Sequence, residues 1–161
     1  MKNIIILLVL IIVFTGCELI PLAPTGEMSV SYKPNPAADP VYLSVDGWTW
    51  TVDIEIREEN GWSVELDNWG PKNSACVSVF VLDDYQVVDT FFYSKSDLNA
   101  WFGSTDISAY GSIKSNGAQF STFNYNQGKY IETYYGVDSD GNNIKCTDTL
   151  ELVNNKNKGI Q

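Results

Sequence analysis

Residues 48–57, Trp48-Thr49-Trp50-Thr51-Val52-Asp53-Ile54-Glu55-Ile56-Arg57, decide the fold. Apolar side chains hold every even position and polar ones every odd position. Side chains of a strand alternate across the sheet with a period of two, so one face of this segment belongs to a core and the other to water. A half-buried strand needs a second apolar layer against its inner face, and the rest of the chain has to supply it.

The turn that follows, Glu59-Asn60-Gly61, leaves two continuations open. A hairpin with a three-residue loop ending at Gly61 pairs Ile56 with Val64 and Ile54 with Leu66, which suits the core. It also sets Glu55 opposite Glu65 and Asp53 opposite Asp67, and like charges face to face are unfavourable. The alternative sends residues 62–66 across to a second sheet, and the charges favour it.

Further strands follow at short spacing. Residues 28–32 alternate weakly and run into Pro34, Pro36 and Pro40, as an edge strand does, and residues 41–45 offer a short addition. Residues 75–82 are apolar on both phases, which suits a central strand. Asp83-Asp84 turns the chain, and residues 87–93 return. Then the period changes: Ser96 can cap a short helix whose Leu98, Trp101 and Phe102 fall at i, i+3 and i+4, with Gly103 ending it. Such a helix suits a lid over the core, with Trp101 turned inward.

Asn116-Gly117 lies between residues 112–114 and 118–125 and predicts a two-residue hairpin. The last pair is residues 129–137 and 143–153. A four-residue loop over 139–142 pairs Val137 with Ile144, Tyr135 with Cys146 and Ile131 with Leu150, and leaves Asp148 on the apolar phase opposite Thr133. About eight short strands in residues 27–153 predict an all-β fold, an antiparallel two-sheet sandwich with one short helix. Residues 154–161 have nothing to bury and are expected to be disordered.

The amino-terminal segment has a different character. Lys2 precedes an apolar run over residues 4–14, closed by Thr15-Gly16-Cys17. Eleven residues fall short of the roughly 20 needed to span a bilayer, so residues 1–16 have the form of a signal that is removed. Phe14-Thr15-Gly16 before Cys17 resembles the lipobox of bacterial lipoproteins, with Phe14 in place of the usual Leu. The resemblance implies lipidation of Cys17, palmitate included, and anchorage in a bacterial cell envelope. Residues 17–26 then act as a tether, kept extended by Pro21 and Pro24. Glu18 follows the cysteine where Asp signals inner-membrane retention in Gram-negative sorting, so the resemblance points to the outer membrane or cell surface.

The alternating tryptophan strand, with Gly136-Val137-Asp138-Ser139-Asp140-Gly141-Asn142 before a final strand, is similar to bacterial immunoglobulin-like and fibronectin-III-like envelope domains. That resemblance implies architecture and no activity. Gly128-Lys129-Tyr130 suggests the family's tyrosine corner, in which the tyrosine lies on the core-facing phase. Here Tyr130 shares its phase with Glu132, opposite Ile131 and Val137. The inter-sheet disulfide of antibody domains has no counterpart, because the tryptophan strand carries no cysteine.

Composition excludes several chemistries. The 161 residues carry 20 acidic and 10 basic side chains, a net charge of −10, which becomes −11 when Lys2 leaves with the signal. Such a chain repels phosphate backbones and anionic lipid surfaces, so nucleic acid is not a partner and membrane contact rests on the lipid. The absence of histidine removes Ser-His and Cys-His nucleophile pairs and His-built zinc sites within the chain. Paired carboxylates could run glycoside hydrolysis, but with 20 acids such pairs arise by chance, and no enzymatic activity is expected.

Three sets of residues remain as candidates. With Cys17 lipidated, Cys76 and Cys146 form an even pair in an oxidising space. A disulfide closing that loop is worth ~4 kcal/mol on the chain-entropy view, and two buried thiols are the alternative. Asp138, Asp140 and Asn142 invite a calcium reading, but the loop glycine comes fourth rather than sixth as in an EF-hand, so a plain turn competes and no cofactor is required. Trp48 and Trp50 belong to the core, whereas Trp69, in a Gly-Pro loop, and Trp62 are candidates for a glycan-binding platform. The expected function is binding or scaffolding through an envelope protein partner, with carbohydrate binding by exposed aromatics as the alternative.

Overall fold

A computed structural model describes residues 25–155. The signal segment, Cys17, most of the tether and the tail from residue 156 lie outside the described residues. The elements are β1 (Met28–Lys33), β2 (Val41–Leu43), β3 (Gly47–Glu58), β4 (Val64–Leu66), β5 (Cys76–Val81), β6 (Val87–Tyr93), α1 (Lys95–Phe102), β7 (Asp106–Ile107), β8 (Ser112–Thr122), β9 (Gly128–Asp138) and β10 (Asn143–Leu152).

Each of two antiparallel sheets is built around one long strand. In the first, β8 runs along one edge of β3, while β1 and then β2 share the other. In the second, β10 covers one edge of β9, and β5 and β4 lie in series along the other. β6 extends the second sheet beyond β5, and β7 beyond β4. The alternation of β3 does what its pattern demands: Trp50, Val52, Ile54 and Ile56 are each 3 % exposed or less. They pack with Phe80, Tyr130, Tyr134 and Leu150 of the opposing sheet in one core. The chain takes the crossing, not the hairpin, after Gly61. β4 pairs with β9 in the second sheet, so Glu65 and Asp67 reach Lys95 instead of facing Glu55 and Asp53. Glu55 is left to Arg57 and Lys114.

Three local expectations are corrected. Asn116-Gly117 does not turn the chain; β8 runs straight through it. Val52 pairs with Ala118 and Ile54 with Ser115, so Asn116 and Gly117 together oppose Asp53 in a β-bulge. Gly117 takes φ +69 and its N–H donates to Asp53 Oδ1 at 2.8 Å, which is the left-handed glycine that such a bulge requires. The final hairpin has a three-residue loop, with Gly141 at φ +84 and the Asp138 N–H bonded to the Asn142 carbonyl. Ile144 therefore pairs with Gly136, Cys146 with Tyr134, Leu150 with Tyr130, and Asp148 with Glu132. A slip of one residue exchanges the faces of a strand, and Tyr130, Glu132 and Tyr134 of β9 point into the core. Third, the helix cap is Ser94, not Ser96. Ser94 and Asp97 form a reciprocal capping box, and Gly103 closes the helix at φ +74. Leu98 is the helix's buried anchor, whereas Trp101 stays 42 % exposed.

Cys76 and Cys146 are buried free thiols, so the expected disulfide is corrected as well. Both pair with Tyr134, from opposite edges of β9. Two strand spacings of about 4.8 Å separate them by roughly 10 Å, beyond the ~7 Å that a disulfide bridges. Burial pushes both thiols up, Cys146 to about 12, which keeps them protonated and unreactive. Denatured without reductant, the Cys17→Ser chain is expected to titrate two thiols; a count of zero would contradict this register.

The described ends are tied in more firmly than their sequence suggests. Asn154 is buried, and the Trp50 indole N–H donates to the Val153 carbonyl at 3.1 Å. At the other end the Gly26 N–H donates to Asp138. Among the described residues no helix is long and apolar enough to cross a membrane.

Candidate functional site

The two long sides of the sandwich are finished differently. On the β1–β10 side the sheets are stitched by backbone. The Ala37 N–H donates to Glu151 O at 2.7 Å, the Val153 N–H returns to Ala37 O at 2.9 Å, and Asn35 bonds both Thr149 O and the Glu151 N–H. On the β6–β8 side aromatic rings stand in the gap, and the seam stays open as a cleft of about 280 Å³.

Four elements build that cleft. β6 contributes Phe91 and Tyr93 by its period of two, β8 contributes Phe120, and β9 contributes Tyr130. α1 leaves β6 through its capping box and brings Trp101 over Tyr93, edge to face at 4.6 Å. Phe120 and Tyr130 lie 5.0 Å apart, and Phe91 stacks beside Tyr93 at 6.4 Å. Ser115, Gln119 and Ser121 add polar groups, and no Lys or Arg is among the lining residues. A second stretch of about 420 Å³ continues past Phe91 and Tyr130 to Val88, Phe123 and Tyr125, with Asp46 and Asp89 at its margin.

Glu132 lines the cleft from β9 and is 2 % exposed. The hydroxyls of Tyr32 and Tyr134 both donate to its Oε2, at 3.0 and 2.8 Å. Burial raises its carboxyl above the usual range, and the hydroxyls of Tyr134 and Tyr32 only partly oppose it. Burial and then the Glu132 charge push the Tyr93 hydroxyl up to about 12. The Tyr130 hydroxyl donates to the Ser121 carbonyl at 3.0 Å.

The candidates named from sequence lie elsewhere. Cys17 is outside the described residues. Trp69 is half-buried rather than a free platform: its indole N–H donates to Gly136 O at 2.8 Å and its ring meets Tyr135 edge-on at 4.8 Å. Trp62 is half-buried, and neither ring lines the seam. Asp138, Asp140 and Asn142 lie on the hairpin turn between β9 and β10. The Asp138 carboxylate accepts from the N–H groups of Gly26, Asp140 and Asn142 and from the Asn142 side chain, so its lone pairs are occupied by donors. Asp140 and Asn142 are exposed. Among the described residues no cluster of three acidic or cysteine side chains could hold a metal ion.

Glu58 is a second buried carboxylate that the alternation conceals. It is 1 % exposed and accepts from the N–H groups of Asn60, Gly61 and Tyr110, joining the turn after β3 to the loop before β8. It acts as a structural clasp between these two loops.

No protein-family model and no curated protein matches this chain. Among solved structures it is similar to the Northeast Structural Genomics Consortium target SoR45, at 12 % identity over 83 % of this chain and 90 % of that one, with a TM-score of 0.55. The putative ApaA protein from Bordetella pertussis is similar at 9 % identity, over 82 % and 97 % of the two chains, with a TM-score of 0.50. A lipoprotein from Bacteroides thetaiotaomicron aligns at 12 % identity over 89 % and 94 %, with a TM-score of 0.29. At these identities the first two show a shared fold and carry nothing about activity.

Proposed function

We propose that the protein is a non-catalytic binding module, lipid-anchored at a bacterial cell envelope through Cys17, that captures its ligand in the aromatic cleft between β6 and β8. The observation that carries the reading is the asymmetry of the sandwich. One side is closed by backbone hydrogen bonds, and the other is held open by Phe91, Tyr93, Trp101, Phe120 and Tyr130. Rings left partly wet at a concave site are where small ligands gain affinity from limited polar contact. The anchor rests on Thr15-Gly16-Cys17 after a short apolar run, and Glu18 favours the outer membrane or cell surface.

An immunoglobulin-like topology is part of this proposal. Sheet orders of β1-β3-β8 and β6-β5-β9-β10 support it, as does a tyrosine at the start of β9 whose hydroxyl bonds the preceding strand's backbone. A protein partner is the second reading. It is favoured by an exposed apolar corner of Val41, Tyr42, Val45 and Phe123, each 58 % exposed or more.

The test is a titration of the protein with envelope polysaccharides, peptides and small solutes, followed by tryptophan fluorescence. A saturable change that disappears in Trp101→Ala is the expected result. No response across the panel, with a cell cross-linking partner retained by Trp101→Ala, would overturn the cleft reading in favour of the corner.

A further inference from the structure

We propose that the β6–β8 cleft receives an alkylated ammonium group, a refinement that rests on reading this cleft as the ligand site. Rings and a carboxylate around one space, without a competing cation, are what such a group requires. The negative faces of aromatic rings attract a cation within about 6 Å, and more strongly where water is excluded. Tyr93, Trp101 and Tyr130 supply electron-rich rings, and Glu132 supplies the counter-charge at the floor.

Glu132 is the feature that a neutral ligand leaves unexplained. It is buried, it takes part in no ion pair among the described residues, and its neighbours supply hydroxyls rather than cations. A buried carboxyl without a charged partner costs stability, and folds keep one where it meets something. A cation in the cleft is that partner. Stacking a neutral sugar on the same rings would leave Glu132 with its two tyrosine hydroxyls and still without a charged partner.

The same surroundings select the kind of cation. A primary ammonium brings three N–H donors that each need an acceptor, whereas each methylation removes one and a quaternary nitrogen brings none. Ring faces serve the second better than the first. Asp46 and Asp89 at the margin of the continuing groove add negative potential, which disfavours a ligand carrying phosphate beside its ammonium.

The experiment uses the full chain and three probes, with binding measured by calorimetry and Trp101 fluorescence. Choline is the cation, 3,3-dimethyl-1-butanol is its neutral isostere, and phosphocholine represents the lipid-headgroup source. Choline is expected to bind saturably and at least about tenfold more tightly than the isostere. In Glu132→Gln that preference should vanish while the isostere binds as before, and circular dichroism confirms the fold. Phosphocholine binding tighter than choline assigns the ammonium to a headgroup; weaker binding assigns it to a free or protein-borne methylated amine. Equal binding of choline and the isostere overturns the ammonium reading and leaves the cleft as an apolar ligand site. If neither binds but another ligand gives a Trp101-dependent response, the ammonium reading alone fails. If nothing perturbs Trp101, both readings fail.

Discussion

Trp50→Ala is expected to destabilise the domain by about 3–5 kcal/mol, enough to leave a large part of the chain unfolded under mild conditions. Trp50 is 1 % exposed on the inner face of β3, the strand that both halves of the first sheet share. Removing its ring opens a cavity between the sheets. It also strands the Val153 carbonyl, which accepts the indole N–H, and so loosens the segment that follows β10. The contrast is Trp101→Ala. That ring is 42 % exposed and makes its main contact with Tyr93, so its loss is expected to cost about 1 kcal/mol. Urea denaturation separates the two, because the midpoint moves with stability while the slope reports exposed surface. Equal midpoints for the two variants would mean that the even-numbered face of β3 is not the core face.

The reach of the sequence can be judged from the same strand. Ten residues of strict alternation fix both the secondary structure and the buried face of β3, because a period of two has no other structural use. The crossing after Gly61 is legible too, through the charge conflict that a hairpin would create. Asn116-Gly117 misleads because its chemistry is local: a left-handed glycine serves a tight turn and a bulge equally, and only the partner strand decides which. The final hairpin misleads by one residue. Tyr130, Glu132 and Tyr134 look like a wet face because Glu counts as polar, whereas two tyrosine hydroxyls make that carboxyl tolerable inside. The cleft has no linear signature. Its rings come from β6, α1, β8 and β9 and meet only because two sheet edges face each other. Trp69 is marked by its Gly-Pro loop, and such turn residues occur whether or not a ring is pinned there.

Two carboxyls of β9 should pull the pH dependence of stability in opposite directions. Burial pushes Asp138 up, but the Gly26 N–H, the Asn142 side chain and the N–H groups of Asn142 and Asp140 outweigh it and hold the group at about 2. A carboxyl lowered on folding stabilises the protein above its unfolded value of 3.8, and that contribution is lost as pH falls toward 2. Glu58, held down against burial by the N–H groups of Tyr110, Asn60, Trp62 and Gly61, adds to the same acid limb. Glu132 behaves in reverse. Its folded form holds the proton more tightly than the unfolded chain does, so its contribution is complete below 4.5 and is lost as pH rises through the folded value. Stability is therefore expected to peak in mild acid and to decline towards alkaline pH. In urea melts across about pH 3 to 9, Glu132→Gln should remove much of that decline and overtake the parent as pH rises. Asp138→Asn should cost about 2–3 kcal/mol near neutrality, because several N–H groups lose a charged acceptor, and its deficit should shrink as the parent carboxylate is protonated. Parallel pH profiles for the parent and Glu132→Gln would mean that Glu132 is ionised in the folded protein. A cation already held in the cleft would do that, and dialysis against the neutral isostere would then restore the difference.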